Sequence, residues 1–315
     1  MRPFFSVELV PRDPVWKLLI AARIVEKNGF DGVWVSDHFF NRNCFMVLSA
    51  LALNTRKIFL GPAVVNPYVT HPTSIAQMTA TLWELAPNRV RLAVGAGDAL
   101  SLKQLGLDRE KPVERVGEAV KHVKKALTTP GWLDTYRASD VKVFVGAQGR
   151  RMMRMAAEVA DGVLVNWSSM DKLLEALKTF GSRGFWKAAY IITSVHDDEA
   201  KARKTAVPFA AYLMAGVHEQ YLNEFGISVG FRKQVEEVLR SKKWEELYAI
   251  SSGDWVNYFC VWGKPKKLEG FADELVEAGY DEVVFAGPLG PRYLKALRDI
   301  SLICRQIRKK WANIG

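Results

Sequence analysis

Apolar residues along this chain fall into short unbroken runs, separated by longer stretches in which they recur at helical spacing. Runs of the first kind read as strands buried on both faces, and stretches of the second kind as amphipathic helices. Residues 4–9 (FFSVEL) are the first run, with Glu8 as a charge inside it and Pro11 just beyond. A helix is predicted over 13–28, where Trp16, Leu19, Ile20, Arg23 and Ile24 share a helical period and Gly29 marks the stop. Strands at 32–36, 58–65, 90–95, 141–146, 162–165, 188–195 and 283–286 continue the pattern, with helices at 44–53, 73–85, 112–127, 152–160, 171–178 and 293–310. Alternating strands and helices mean βαβ units and a parallel sheet. Eight strands in that order predict an α/β protein built as a (β/α)8 TIM barrel. A doubly wound sheet is the alternative, but no G-x-G-x-x-G follows the first strand.

Two stretches depart from the alternation. Residues 99–140 hold a long loop and one helix. Residues 196–279 exceed a single crossover and read as helices at 200–214, 218–225, 231–240, 244–250 and 267–278. This second stretch is taken as a helical insertion between strands seven and eight, lying over the mouth of the barrel. No internal repeat or low-complexity linker divides the chain, so residues 1–315 are read as one domain.

Composition narrows the class. Of 315 residues, 49% are hydrophobic and 25% charged, which suits a globular protein with a substantial core. No apolar run approaches the length of a membrane helix, and the first residues lack the core of a secretion signal. The three cysteines, Cys44, Cys260 and Cys304, are too few and too far apart for a disulfide framework, and fit a reducing cytosol. A net charge of +10 favours anionic ligands. Lys and Arg are spread along the chain, and the one dense basic segment (Arg305, Arg308, Lys309, Lys310) reads as a solvated last helical turn rather than a nucleic-acid patch.

In a TIM barrel the site lies at the carboxyl ends of the strands, so those ends select the candidate residues. They carry Glu8 from strand one, Asp37 and His38 from strand two, and Ala63, Val64 and Asn66 from strand three. Strand four gives Gly95, Gly97 and Asp98, strand five Gly146, Ala147, Gln148 and Gly149, strand six Asn166, and strand eight the GPLGP segment. Polar and glycine residues collect at this end, whereas the strand bodies read as apolar. Glu8, His38 and Asp98 are the candidate acid–base groups. Each also has a bland reading: an ion-paired carboxylate, a histidine holding a loop, and a cap on the next turn. The GAQG turn before Arg150, Arg151 and Arg154 reads either as a phosphate cradle at a helix start or as a tight strand-to-helix turn. In GPAVVNPYVTHP, residues 61–72, Gly61 inside a strand marks either an irregular barrel strand or a close backbone approach by a ligand. His38 and His71 lack a third spaced ligand, so no metal site is expected.

GPAVVNPYVTHP resembles the third strand and following loop of the luciferase-like superfamily, most closely its branch that uses the deazaflavin coenzyme F420. FFSVELVP (4–11), VSDHF (35–39), PNRVRLAVGAGDA (87–99), GAQG (146–149), ADGVLVN (160–166) and GPLGP (287–291) match in the same order, covering most of the chain outside 195–279. The resemblance implies a barrel that transfers hydride between the deazaflavin C5 and a small-molecule substrate. By these motifs the methylenetetrahydromethanopterin reductases are nearest, which implies a methylene group on a tetrahydropterin reduced to methyl. The resemblance also implies a bulge with a non-prolyl cis peptide between Ala63 and Val64 under the coenzyme ring. It sets Asp37 beside the ring edge, His38 at the position of a site histidine in the deazaflavin glucose-6-phosphate dehydrogenases, and the coenzyme phosphate near the GAQG turn. A homodimer or homotetramer is expected. Three features depart from these relatives: 99–140 is shorter than in the reductases, DHFFNR replaces a DHYNN-like segment, and Arg42 lies near the place of a dehydrogenase tryptophan. An FMN-dependent monooxygenase, an F420-dependent alcohol or sugar-phosphate dehydrogenase, and a cofactor-binding barrel without turnover stay open as alternatives.

Overall fold

The computed structural model describes residues 2–129, 138–181 and 184–313; positions 130–137 of the expected loop before strand five lie outside them. In chain order the elements are β1 (Phe4–Leu9), α1 (Val15–Lys27), β2 (Gly32–Val35), α2 (Cys44–Asn54), β3 (Phe59–Pro62), α3 (Pro72–Leu85), β4 (Arg91–Val94), α4 (Ala99–Gln104), α5 (Pro112–Thr128), β5 (Lys142–Ala147), α6 (Arg150–Val159), β6 (Gly162–Val165) and α7 (Met170–Leu177). Then follow β7 (Trp186–Val195), α8 (Glu199–Gly216), α9 (Glu219–Glu224), α10 (Val229–Ser241), α11 (Trp244–Ile250), α12 (Val256–Phe259), β8 (Val261–Gly263), α13 (Pro265–Ala278), β9 (Glu282–Leu289) and α14 (Tyr293–Ala312). Eight strands form a parallel barrel in the order β3-β2-β1-β9-β7-β6-β5-β4. Single bridges, Leu60 to Val90 and Val65 to Val94, join β3 to β4 and close it.

The expected strands and helices are present with end shifts, and three short elements come in addition: α4, α12 and β8. The ninth strand has a geometric reason. β7 has ten residues and outruns four-residue β6, so its last residues, Thr193–Val195, are free to pair with Val261–Gly263.

Residues alternate across each strand. Phe5, Val7 and Leu9 of β1 are fully buried, whereas Ser6 and Glu8 make their hydrogen bonds to β9. The expectation of apolar strand bodies is overturned at the amino end of the barrel. There the Arg91 guanidinium pairs with Glu282 at 2.7 Å and lies over the ring of Phe59 at 4.0 Å and of Trp186 at 4.8 Å. Glu282 also accepts from Ser6 Oγ (2.5 Å) and from the indole N–H of Trp34 and Trp186, both at 3.0 Å. A buried charge persists only when paired and hydrogen-bonded, and Glu282 has four donors. Gly61 is explained at this level as well. A Cβ there would stand 2.7 Å from the Trp34 ring and 2.6 Å from the Arg91 carbonyl, so its missing side chain admits protein, not ligand.

Helix α8 reaches the barrel mouth. Phe209 stands beside Gly287, the residue that also faces Glu8, and Gly216, at the helix end, approaches Asp98. The insertion therefore lies against the carboxyl ends of β1, β9 and β4.

Candidate active site

The third strand turns where its sequence departs from strand composition. The Ala63–Val64 peptide is cis, as expected. Val64 projects into the barrel, and the facing strands make room for it. A Cβ on Gly95 would lie 2.7 Å from one Val64 methyl, and a Cβ on Gly146 2.6 Å from the other. These two glycines, expected as cofactor contacts, thus serve the protein's own valine. Gly97 (φ +70°) lies against the Asn66 carboxamide in the same way. Asn66 is buried, and its Oδ1 accepts from the amides of Tyr68 (3.2 Å) and Val69 (3.1 Å), fixing the turn into α3. Val64 itself is half-buried and forms an apolar floor for the mouth, with Ala63 buried beneath.

Glu8 lies on β1 with Oε2 accepting from Gly287 N–H at 2.9 Å, which joins the GPLGP segment to the site. Burial pushes the Glu8 carboxyl above the usual carboxylate range, against the opposing pull of Gly287, Tyr190, Ser36 and Arg12. The Tyr190 and Ser36 hydroxyls approach the carboxylate without closing a hydrogen bond of good geometry. Burial drives the Tyr190 hydroxyl well up, so it stays a donor.

His38 and Asp98 are brought together by a residue the sequence reading did not single out. Ser101, buried in the first turn of α4, donates Oγ–H to Asp98 Oδ2 at 2.6 Å, and its Oγ stands 3.2 Å from His38 Nε2. Asp98 Oδ2 also accepts Ser101 N–H at 3.0 Å, so Asp98 caps α4 as well as facing the site. The D-x-x-S spacing was the available signal. Burial lowers the His38 imidazole; Asp98 and Asp37 oppose that shift and Arg12 adds to it. Burial raises the Asp37 carboxyl, against a thiol hydrogen bond from Cys44. Asp37 and His38 line a cavity of about 240 Å³ together with Phe39, Val65, Thr70 and Met78.

The strand-five turn is built from Ala147, Gln148 and Gly149. Gln148 donates to the Asn166 carbonyl (3.1 Å), and its own carbonyl accepts from the Trp167 indole (3.0 Å). Gly149 starts α6 without any side-chain cap. Arg150 is engaged by Glu175 at 2.8 Å, and Arg151 and Arg154 are exposed. Lys172 bridges Glu175 and Glu224 and so ties α7 to α9.

Whether these residues suit a polar, ring-bearing coenzyme is tested by their unmet hydrogen bonds. Ser36 Oγ, His38 Nδ1, Asn166 Oδ1 and Tyr190 OH are buried without a partner. All four belong to strands, or strand ends, at this mouth. A buried polar atom left unmet costs about 1–3 kcal/mol, and several around one apolar floor fit a ligand that carries both a ring face and polar edges.

A parallel barrel with a bulged third strand and titratable side chains gathered at its carboxyl end defines a class. A family model of luciferase-like monooxygenases matches residues 9–282, and the chain belongs to that family. A 5,10-methylenetetrahydromethanopterin reductase of Archaeoglobus fulgidus is 32% identical over 339 residues, covering 97% of this chain and 99% of the relative. The solved structure of a coenzyme F420-dependent tetrahydromethanopterin reductase from Methanopyrus kandleri aligns with a TM-score of 0.84 at 26% identity, over 96% of this chain and 98% of that one. An F420-dependent secondary alcohol dehydrogenase aligns at 0.75 with 19% identity, over 98% and 99%, a likeness of fold.

Proposed function

We propose that this protein is a coenzyme F420-dependent oxidoreductase that reduces 5,10-methylenetetrahydromethanopterin to the methyl form. The observation that carries this reading is the end-to-end match to a reductase of that name, which leaves little of either chain unpaired. The deazaflavin supplies the hydride chemistry when bound. Ala63 and Val64 give its ring an apolar rest. Asp37, His38, Asn66 and Asn166 border it, with Gly95, Gly97 and Gly146 making room for the bulge, and Ala147, Gln148 and Gly149 lie toward its phosphate.

The chain's own chemistry concerns the proton. A methylene held between two nitrogens accepts hydride only once one C–N bond opens, and the departing nitrogen must take up a proton. Glu8, whose burial raises its carboxyl and favours the proton-bearing form, is the group that gives it. His38 completes the acid–base set, with Asp98 joined to it through Ser101. The substrate thus gains one hydride and one proton.

We further propose that the chain works as one barrel unit in a reducing cytosol, as a homodimer or homotetramer. The three cysteines are buried and free, and no described helix is long and apolar enough to cross a membrane. Met46 and Leu53 lie seven residues apart on α2 at 74% and 65% exposure, an apolar stripe suited to a second copy. Light scattering that finds a monomer would refute the assembly. The function is tested by titrating the purified protein with F420 and with FMN, then following oxidation of reduced F420 with methylenetetrahydromethanopterin. Tight FMN binding with no response to F420, or no turnover of that pterin, overturns the reading.

A further inference from the structure

The Ser101 hydroxyl has one hydrogen and faces two acceptor-capable groups. A hydroxyl donates once and accepts through its lone pairs. The 2.6 Å contact to Asp98 Oδ2 is much the shorter, and that oxygen already serves as the acceptor for Ser101 N–H. The hydrogen is therefore spent on Asp98, and Oγ turns lone pairs toward His38 Nε2 at 3.2 Å. For that contact to be a hydrogen bond, Nε2 must carry the imidazole hydrogen. A neutral imidazole has one N–H, which leaves Nδ1 bare.

A second observation reaches the same tautomer independently. Nδ1 is buried without a hydrogen-bond partner. A buried N–H without a partner is a rarer and costlier arrangement than an acceptor without one, so the bare form is again favoured at Nδ1. The charged groups facing the ring are Asp98, Asp37 and Arg12.

We infer that Ser101 and Asp98 are positioning residues: they hold His38 as the Nε2–H tautomer and leave Nδ1 as an acceptor for an N–H or O–H donor of the bound ligand. Asp98 then acts through Ser101 and His38, as well as capping α4. A hydrogen-bond partner that fixes the tautomer of a histidine is a general device for setting which nitrogen reacts. The inference rests on the proposed function only for the identity of the ligand.

The test uses the ligand-free protein labelled with ¹⁵N-histidine, whose five histidines give separable two-bond ¹H–¹⁵N patterns. The His38 pattern is assigned by its loss in His38→Gln. The expected pattern places Nε2 in the pyrrole-type region and Nδ1 in the pyridine-type region. Ser101→Ala shifts the pattern toward the Nδ1–H form, and Ser101→Thr, which keeps the hydroxyl, restores it. A proton on Nδ1 in the unaltered protein, or an unchanged pattern in Ser101→Ala, overturns the inference. The first of these readings needs no variant to fold. Because no coenzyme is present, failure to bind F420 would sink the proposed function and leave this assignment standing. Turnover with the opposite tautomer would do the reverse.

Discussion

At the scale of the residue, Glu8 concentrates the chemistry. Its carboxyl is pushed up by burial, so the folded protein holds that proton more tightly than the unfolded chain does. Stability contributed by the protonated form is present at low pH and lost as pH rises above the ordinary value of 4.5 toward the raised one. Glu8→Gln keeps an acceptor for Gly287 N–H and removes the ionisation. The stability of the variant relative to the parent is expected to increase as pH rises through that window, read from urea midpoints across a pH series. A constant difference would remove Glu8 as a buried titrating group. Its turnover is expected to fall about 10²–10⁴-fold, the range for loss of a general acid, and an unchanged rate would take Glu8 off the proton route.

At the scale of the element, the third strand and its two glycine neighbours form one packing unit. Val is stiff at χ1, so a methyl added at Gly95 or Gly146 meets side-chain atoms that cannot swing away. Gly95→Ala and Gly146→Ala are each expected to cost about 1–3 kcal/mol, as overpacked sites do, and to weaken F420 binding by displacing the floor. Val64→Ala in the same chain should relieve most of that cost. Additive effects in this double-mutant cycle would show that the glycines and Val64 do not couple. The sequence carried part of this unit. Gly, Pro and Ala inside an apolar run showed that strand three was irregular, and the resemblance supplied the cis bond. Which partner filled the space over Gly95 and Gly146 was not legible, because a missing side chain looks the same whether it admits a ligand or a valine. Ser101 was passed over because its role arises only when the chain beyond β2 and the chain beyond β4, on either side of β3, converge at the mouth. β8 was passed over because three residues carry no period, and its reason to exist is the surplus length of β7.

At the scale of the whole molecule, the two ends of the barrel are built on opposite rules. The carboxyl end leaves polar atoms unmet, whereas at the amino end Glu282 is satisfied four times over. Alternation within β4 and β9 gave no hint of that plug, since Arg91 and Glu282 are the first residues of those strands, where charges are ordinary. Arg91→Met strands Glu282 among aromatic rings and is expected to cost about 3–5 kcal/mol, as removal of one partner from a buried pair does. F420 affinity of the folded fraction should be unchanged, because the plug and the mouth are at opposite ends. A cost below about 1 kcal/mol in urea unfolding would mean that the pair behaves like a surface ion pair.

The barrel also has a seam. Neighbouring strands elsewhere share ladders of registered residues, such as Ser6–Leu9 with Gly32–Val35, but β3 and β4 meet only at two isolated bridges. Leu60 N–H to Arg89, Val65 N–H to Ala93 and Gly95 N–H to Val65 are among the few backbone bonds across it. Local opening follows the weakest set of bonds, so the cylinder should breathe here first. Deuterium uptake at Val65 and Gly95 is expected to outpace uptake at Val7 and Val284, in the ladder between β1 and β9. Because the seam runs directly beside Val64, a ring resting on that residue would also act as a staple. Bound coenzyme should slow exchange at Val65 and Gly95 more than at any other barrel amide, and equal slowing around the cylinder would show that the ligand does not close this joint.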